Sequence, residues 1–306
     1  MSSTSYAGSA ESPVMRAVAQ TRPGGPEVLE LVTVARPEPG RGEVLVRVRA
    51  AGVNPADWKT RARGGVRVLG WDVAGVIESV GPGVTVFRPG DAVFGMPRFP
   101  EPAAAYAEYV TAPARHFAPQ PQGLGHVEAA ALPLAALTAW QALVDTADVR
   151  PGQRVLIHAA AGGVGHLAVQ IAKARGAYVI GTASAAKHEL LRSLGADEVI
   201  DYRAVDVADA VRDVDVIVDA TGSASSRPLR EGGLLISLLP PETPQEDRVF
   251  MLVEPDRQGL REIAALVEEG RLRVLVEEVF PLERVAEAHA LGETGRTTGK
   301  IVLTVG

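Results

Sequence analysis

No cysteine occurs in the 306 residues, which excludes disulfides, thiolate nucleophiles and cysteine-ligated zinc. Lysine is scarce as well: of 31 basic residues only Lys59, Lys173, Lys187 and Lys300 are lysines, and Asn54 is the single asparagine. A background so rich in Ala, Gly, Val and Arg points to a codon bias that removes lysine and asparagine where nothing requires them. The survivors therefore carry more information than usual. There is no basic run and the net charge is −6, which leaves nucleic acid without an electrostatic footprint on the chain. Neither a secretory signal nor an apolar stretch of membrane-spanning length is present, so a cytoplasmic protein with no membrane partner is expected. Residues 1–13 are small and polar and read as a flexible leader. The rest, with 46% hydrophobic and 22% charged residues, is of ordinary globular composition and long enough for two domains.

Glycine is the residue that is well supplied, and one cluster stands out. Ala159, Gly162, Gly163, Val164, Gly165 and Ala168 form the run Ala-x-x-Gly-Gly-Val-Gly-x-x-Ala, between the apolar stretch Val155 to Ile157 and a segment with apolar residues at Val164, Leu167, Ala168, Ile171 and Ala172. That spacing predicts strand, tight turn and a helix with one buried face. Glycines in such a turn let backbone N–H groups approach a pyrophosphate, and the helix N-terminus adds partial positive charge. Further apolar runs at 178–180, 198–200, 214–218 and 234–238, with a helix predicted from Ser184 to near Gly195, continue the alternation. The expectation is an α/β, doubly wound parallel sheet with its ligand at the carboxyl ends of the strands.

A missing charge bears on which dinucleotide would bind. An NAD site usually carries an acid about 20 residues beyond the glycines to hold the ribose 2′-OH. Here that stretch, 181–187, has no acid; Ser184 reads as a helix N-cap and Lys187 sits in the first turn, where a cation needs a compensating anion. The 2′-phosphate of NADPH would supply it, with Tyr202 and Arg203 closing over the adenosine; the alternative for Lys187 is a solvated surface lysine. The six histidines, at 116, 126, 158, 166, 188 and 289, show no metal-ligand spacing and read as structural or surface residues. His166 in particular is expected on a helix surface, and His158 lies at the end of the first strand of the α/β unit. No metal site is expected.

Before the glycine run, from Met15 to about Val110, short alternating runs are broken by Pro-Gly pairs, the pattern of a rolled β domain. After it come a helix beyond Leu260, a strand at 274–280, a helix near 282–291 and a last strand from Lys300. The segment 295–300 lacks P-loop spacing and reads as a turn into that strand. Taken together, Ala51-Gly-Val-Asn-Pro-Ala-Asp-Trp-Lys59, Gly70-Trp-Asp-Val-Ala-Gly75, Val86-Phe-Arg-Pro-Gly-Asp91-Ala-Val-Phe-Gly95, Ala131-Leu-Pro-Leu-Ala-Ala-Leu-Thr-Ala-Trp140 and the glycine run resemble the medium-chain dehydrogenase/reductase superfamily. Within it the chain is similar to the zinc-free, NADPH-dependent quinone oxidoreductases. The resemblance implies a GroES-like β-rich catalytic domain over 14–125, completed by 273–306, and a Rossmann domain over 126–272. It also implies a homodimer. Where zinc enzymes of the superfamily carry Gly-His-Glu, this chain has Gly70-Trp71-Asp72, with neither imidazole nor thiolate.

The same resemblance implies the site. Asn54, Trp58 and Lys59 would serve the substrate side, and Asn54 and Thr138, with Trp140, would flank the nicotinamide. Ala161 with Gly162, Gly163, Val164 and Gly165 would hold the diphosphate; Thr182, Ser184, Lys187 and Tyr202 would hold the adenosine. Thr221, Ser237, Leu238, Leu252, Val253 and Lys300 would complete the cofactor contacts. From the residues alone, Asn54 is equally an amide holding the turn before Pro55, Trp58 is equally packing, and Asp57 reads as a local salt-bridge partner. Without metal, the hydride comes from the cofactor and the protein supplies position and hydrogen bonds. The acceptor would be a small quinone or enone. No tyrosine lies between Asn54 and Gly70 to act as an acid, which favours a quinone, whose hydroquinone anion solvent can protonate. Alkene reduction and a noncatalytic NADPH-binding role are the alternatives. The connections 61–69, 221–232 and 240–249 are short for the family, implying either a more open cleft or loops absent from the sequence as given.

Overall fold

The computed structural model describes residues 13–240 and 248–306. All but the last residue of the proposed leader, 1–13, and most of the connection 240–249, lie outside the described residues. The first half is built from β1 (Val14–Ala19) and β2 (Glu30–Ala35), an antiparallel pair, then β3 (Glu43–Val53), α1 (Pro55–Arg63), β4 (Val73–Val80), β5 (Ala92–Gly95), β6 (Tyr109–Pro113) and β7 (Phe117–Pro119). After α2 (His126–Ala130) and α3 (Pro133–Trp140), the alternating part begins with β8 (Arg154–Ile157), α4 (Gly165–Ala174), β9 (Tyr178–Ala183), α5 (His188–Ser193) and β10 (Glu198–Asp201). It continues with α6 (Val207–Ala210), β11 (Val214–Asp219), β12 (Leu229–Ser237), β13 (Arg248–Phe250) and α7 (Arg257–Glu268). The chain closes with β14 (Val276–Pro281), α8 (Val285–Glu293) and β15 (Lys300–Thr304).

Two sheets carry the architecture. Strands β10-β9-β8-β11-β12-β13 form a parallel sheet in that order, so succession runs outward in one direction from β8 and in the other from β11. The reversal beside β8 is a topological switch point, and the glycine turn sits on it. The other sheet runs β14-β15-β3-β4-β5-β7, with β6 also on β3, and the last strand, β15, pairs antiparallel with the end of β3 from Ile301 opposite Val53 to Thr304 opposite Ala50. This pairing carries Lys300 to the β3–α1 junction. The α/β fold class is as the sequence implies: a GroES-like β-rich part and a doubly wound parallel sheet.

Helix α3 lies between the two sheets and is buried from Pro133 to Ala139, packed on α4 and α7. Its small residues, three of them alanine, allow that close approach. Helix α4 departs from the one-faced expectation, being buried on every side from Gly165 to Ala172. Its two polar residues are satisfied internally. Gln170 donates to the His166 and Arg273 carbonyls and accepts from the Arg273 N–H. His166 is fully buried rather than on the helix surface: Nε2 accepts the Leu275 N–H at 3.1 Å and Nδ1 therefore donates to the Gly162 carbonyl at 2.9 Å. Burial pushes this imidazole down to about 4, keeping it neutral in that tautomer. The helix predicted from Ser184 forms in two pieces, a short 3-10 turn over Ala185–Lys187 followed by α5, and the Ser184 side chain makes no capping bond. No described helix is long and apolar enough to cross a membrane.

Candidate active site

A cavity of about 870 Å³ opens between the two sheets. One wall is the end of β3 with α1, another is the glycine turn, a third is the segment 238–240 with 250–253, and the last is 292–301. Most of the lining is apolar, including Trp71, Phe99, Leu134, Leu238, Met251 and Ile301. Among the described residues, no Asp, Glu, His or Tyr lines it; the charged side chains on its walls are Lys59, Arg63 and Lys300.

The glycine turn is shaped by close approach. A Cβ at Gly165 would come within 2.3 Å of the Ala159 carbonyl oxygen and 2.7 Å of the Ala160 Cα, so only glycine lets α4 start this near β8. Ala159 itself takes a left-handed backbone, φ 50°, a local strain of the sort that clusters at functional sites. Gly162 donates to the Ala159 carbonyl, but the N–H groups of Gly163, Val164 and Gly165 find no acceptor among the described residues. Three free donors at a helix N-terminus, facing a cavity, fit the diphosphate of a dinucleotide.

At the opposite wall, Asn54 occupies the N-cap position of α1 and is 2% exposed. Its backbone N–H donates to Asp57 Oδ2 at 2.7 Å, while its carboxamide donates from Nδ2 to Asp72 Oδ2 at 2.8 Å and accepts at Oδ1 from the Lys300 ammonium. Lys300 also donates to the Val53 carbonyl at 3.0 Å and to Asp72 at 3.4 Å. Asp72 is fully buried and takes the Leu134 N–H at 2.6 Å on its other oxygen. The side chain fits because residue 52 is glycine: a Cβ there would lie 2.6 Å from Asp72 Oδ2. Gly70, at φ 96°, brings the chain round so that Trp71 can seat its indole N–H on the Glu101 carbonyl and Asp72 can face inward.

Behind this wall lies a second buried cluster that the sequence did not announce. Arg61, 1% exposed, donates to the Gly24 carbonyl, to Glu293 Oε1 at 2.6 Å and to His289 Nδ1 at 2.9 Å, pinning α1 against α8. His289 is then neutral, with Nε2 donating to the Tyr106 hydroxyl at 3.3 Å; burial and the Arg61 charge push it down to about 3. Trp58 lies edge-on to His289 and packs its ring on Gly292, where a Cβ would come within 2.6 Å.

Asp57 forms no salt bridge, contrary to expectation, and its Oδ1 has no hydrogen-bond partner among the described residues. Burial pushes its carboxyl up to about 7, the Asp72 charge acting in the same direction and the Asn54 N–H, the Tyr106 hydroxyl and Lys300 against it. The folded chain therefore holds this proton more tightly than the unfolded one. Its stabilising contribution is complete below about pH 4, the ordinary carboxylate range, and is lost as pH rises towards 7. Asp57→Asn removes that titration and keeps an oxygen for the Asn54 N–H. Relative to wild type, the variant should gain stability between pH 4.5 and pH 8 in urea unfolding; the buried histidines titrate in both proteins and cancel. An identical difference at both pH values would refute the assignment.

Of the residues expected at the site, the cavity brings together Asn54, Trp58, Lys59, Thr138, Gly162, Gly163, Val164, Gly165, Leu238, Leu252, Val253 and Lys300. Others stand behind it or apart. Trp140 and Ala161 do not line it; the Ala161 carbonyl accepts the Gly299 N–H at 3.0 Å. Thr182 is buried and accepts the Ala159 N–H, fastening the turn from below, and Ser237 donates to the Leu239 carbonyl. Thr221 pairs with Asp219, and Tyr202 is half exposed with Arg203 near its ring. Lys187 is half buried, and its ammonium donates to the Arg296 and Thr297 carbonyls at 3.1 and 3.2 Å. The turn 295–300, expected only to lead into a strand, thus forms cavity wall. Asp72 was missed because a lone Asp in a Gly-x-Asp run carries no sign of its partners 18 and 228 residues away.

A profile for the alcohol dehydrogenase GroES-like domain matches residues 40–122, and one for zinc-binding dehydrogenases matches residues 194–303. Over 300 residues the chain is 35% identical to the chloroplastic NADPH-dependent alkenal/one oxidoreductase of Arabidopsis thaliana, an alignment covering 92% of the chain and 77% of that protein. The chain belongs to the medium-chain dehydrogenase/reductase family. The quinone oxidoreductase of Coxiella burnetii, a solved member, superposes with a TM-score of 0.88 at 35% identity over 96% of the chain and all of that protein. The chain is also 38% identical over 265 residues to the pikromycin polyketide synthase component PikAII of Streptomyces venezuelae, where 78% of the chain spans 7% of that much longer protein. The relatives named as oxidoreductases make this chain an oxidoreductase, and the family implies a nicotinamide cofactor, which the glycine turn and cavity fit. A zinc ion does not fit the residues present: the chain has no cysteine, and no group of three or more His, Asp or Glu among the described residues is arranged to hold one.

Proposed function

We propose that the chain is an NADPH-dependent oxidoreductase that delivers hydride to a quinone or similar conjugated carbonyl compound without a metal. The observation that carries this is the pairing, across one cavity, of three free N–H groups at the glycine turn with a buried amide and an apolar acceptor wall. The dinucleotide, when bound, supplies the hydride. Gly163, Val164 and Gly165 hold its diphosphate by their N–H groups. The apolar wall of Trp71, Phe99, Leu134, Leu238 and Met251 excludes water and holds a flat acceptor. Asn54 is in place to donate to the acceptor oxygen, and Lys59, exposed at the rim, adds positive charge as that oxygen becomes anionic.

The absence of an acid or tyrosine from the described lining favours a quinone, whose product anion takes its proton from water. Alkene reduction is the second reading, favoured by Lys59, which could protonate an enolate. NADPH oxidation with 1,4-benzoquinone, 9,10-phenanthrenequinone and a series of enones separates the two. Tight NADPH binding with no turnover on any acceptor would leave a noncatalytic role instead.

Preference for NADPH rests on the acid-free stretch 181–187 and on Lys187. Two carbonyls hold its ammonium, so the pull of a misplaced cation on an anion is weaker than the sequence suggests, but one N–H remains for a phosphate. Lys187→Ala should weaken NADPH by about 10- to 100-fold, the scale of one charge-assisted contact, and NADH much less. Equal losses in calorimetric titrations would overturn the assignment. A homodimer is proposed with the same reading, to be tested by sedimentation equilibrium.

A further inference from the structure

Asn54 is the one asparagine in the chain, and both ends of its carboxamide are held by charges. An amide in a protein core has two orientations related by a flip, nearly equal in shape and opposite in polarity. Here only one is tolerable. With Nδ2 towards Asp72 and Oδ1 towards Lys300, donor meets carboxylate and acceptor meets ammonium; the flipped amide would set its N–H groups against the ammonium and its oxygen against the carboxylate. Both charged partners are buried, Asp72 completely and Lys300 to 97%, so water cannot screen the conflict. Their own remaining valences are taken: Lys300 by the Val53 carbonyl, Asp72 by the Leu134 N–H. Nδ2 carries two protons and spends one on Asp72. The second has no acceptor among the described residues, and Asn54 borders the cavity.

We propose that Asp72 and Lys300 are positioning residues whose ion pair locks the flip of the Asn54 carboxamide, so that its unspent N–H is the hydrogen-bond donor to the carbonyl oxygen of the substrate. This rests on the functional reading above and names the donor that reading requires. The lock also polarises the amide. An ammonium on Oδ1 draws electron density from the nitrogen, and the remaining N–H becomes a stronger donor to an oxygen that gains negative charge as hydride arrives. Asn54 touches the acceptor; Lys300 and Asp72 act through it.

A single asparagine makes the test direct. Protein labelled with ¹⁵N-asparagine gives one side-chain amide, visible without cofactor or turnover. In wild type its two protons should be widely separated in chemical shift, and one should move further downfield on titration with 4-nitrophenolate, a mimic of the reduced acceptor's oxyanion. In Lys300→Met the separation should shrink and the response to 4-nitrophenolate should vanish, and kcat with benzoquinone at saturating NADPH should fall about 10- to 100-fold. Lys300→Arg should restore part of each. Asp72→Asn, nearly isosteric, supplies the same comparison should the methionine variant not fold. An unchanged Asn54 amide spectrum and unchanged kcat in a folded variant overturn the proposal, as does a wild-type amide that ignores 4-nitrophenolate while turnover is normal. A locked, phenolate-responsive amide in a protein that reduces no acceptor would overturn the functional reading instead.

Discussion

Asp72→Ala should cost about 3–5 kcal/mol of stability, the penalty for stranding one member of a buried ion pair. Lys300 is 3% exposed, and Asp72 is its anionic partner. The substitution also frees the Leu134 N–H at the start of α3 and one N–H of Asn54, each then buried without an acceptor. The double variant Asp72→Ala/Lys300→Met should be less damaged than the single one, because replacing both charges by apolar groups removes the desolvation penalty along with the attraction. Urea unfolding of the two variants, with m held constant, gives the comparison. A single-variant loss below about 1 kcal/mol would mean that water reaches Lys300 and that the pair is not sealed.

The second large effect is expected at the glycine turn. Gly165→Ala places a Cβ 2.3 Å from a backbone oxygen and 2.7 Å from a backbone Cα, neither of which can swing aside as a side-chain tip could. Either the start of α4 moves away from β8 or the strand end distorts. Overpacking of this kind costs about 1–3 kcal/mol, and the displaced helix start carries the three free N–H groups with it. Dinucleotide affinity should therefore fall by at least about tenfold, more than for Gly163→Ala, where the nearest atom, Lys300 Cδ, is 3.4 Å away, an ordinary van der Waals contact. Fluorescence titration with NADPH measures both. Comparable losses at the two positions would show that close packing at 165 is not what shapes the turn.

The elements of the α/β half were legible because each rests on local chemistry. Strand β8, the glycines and α4 lie within about 20 contiguous residues, and the apolar spacing announced them. The same locality hid distant partners at two places. Spacing showed one face of α4 as apolar but could not reveal that α3, β9 and the segment 273–275 would cover the rest, burying His166 and Gln170 with partners about 100 residues distant. At Lys187 the sequence posed a correct electrostatic question, a cation at a helix start, and proposed a phosphate as the answer. The fold also sets carbonyls from residues 296 and 297 on that ammonium, partners too distant in sequence for local spacing to announce. Composition was a better guide than expected: Lys173 pairs with Asp197, and Lys187, Lys300 and Asn54 are each tied by specific bonds.

By itself the sequence determined the alternation of strands and helices, the glycine turn between β8 and α4, the absence of thiolate chemistry and the family resemblance, since all of these depend on residue type and on spacings short enough for neighbours to interact. Only the tertiary structure decided which polar groups share one enclosed space. The antiparallel pairing of β15 with β3 sets Lys300 beside Asn54, and the turn at Gly70 delivers Asp72 to both. Three residues spread over 246 positions become one charge-locked unit, because removing them from water makes each depend on the others.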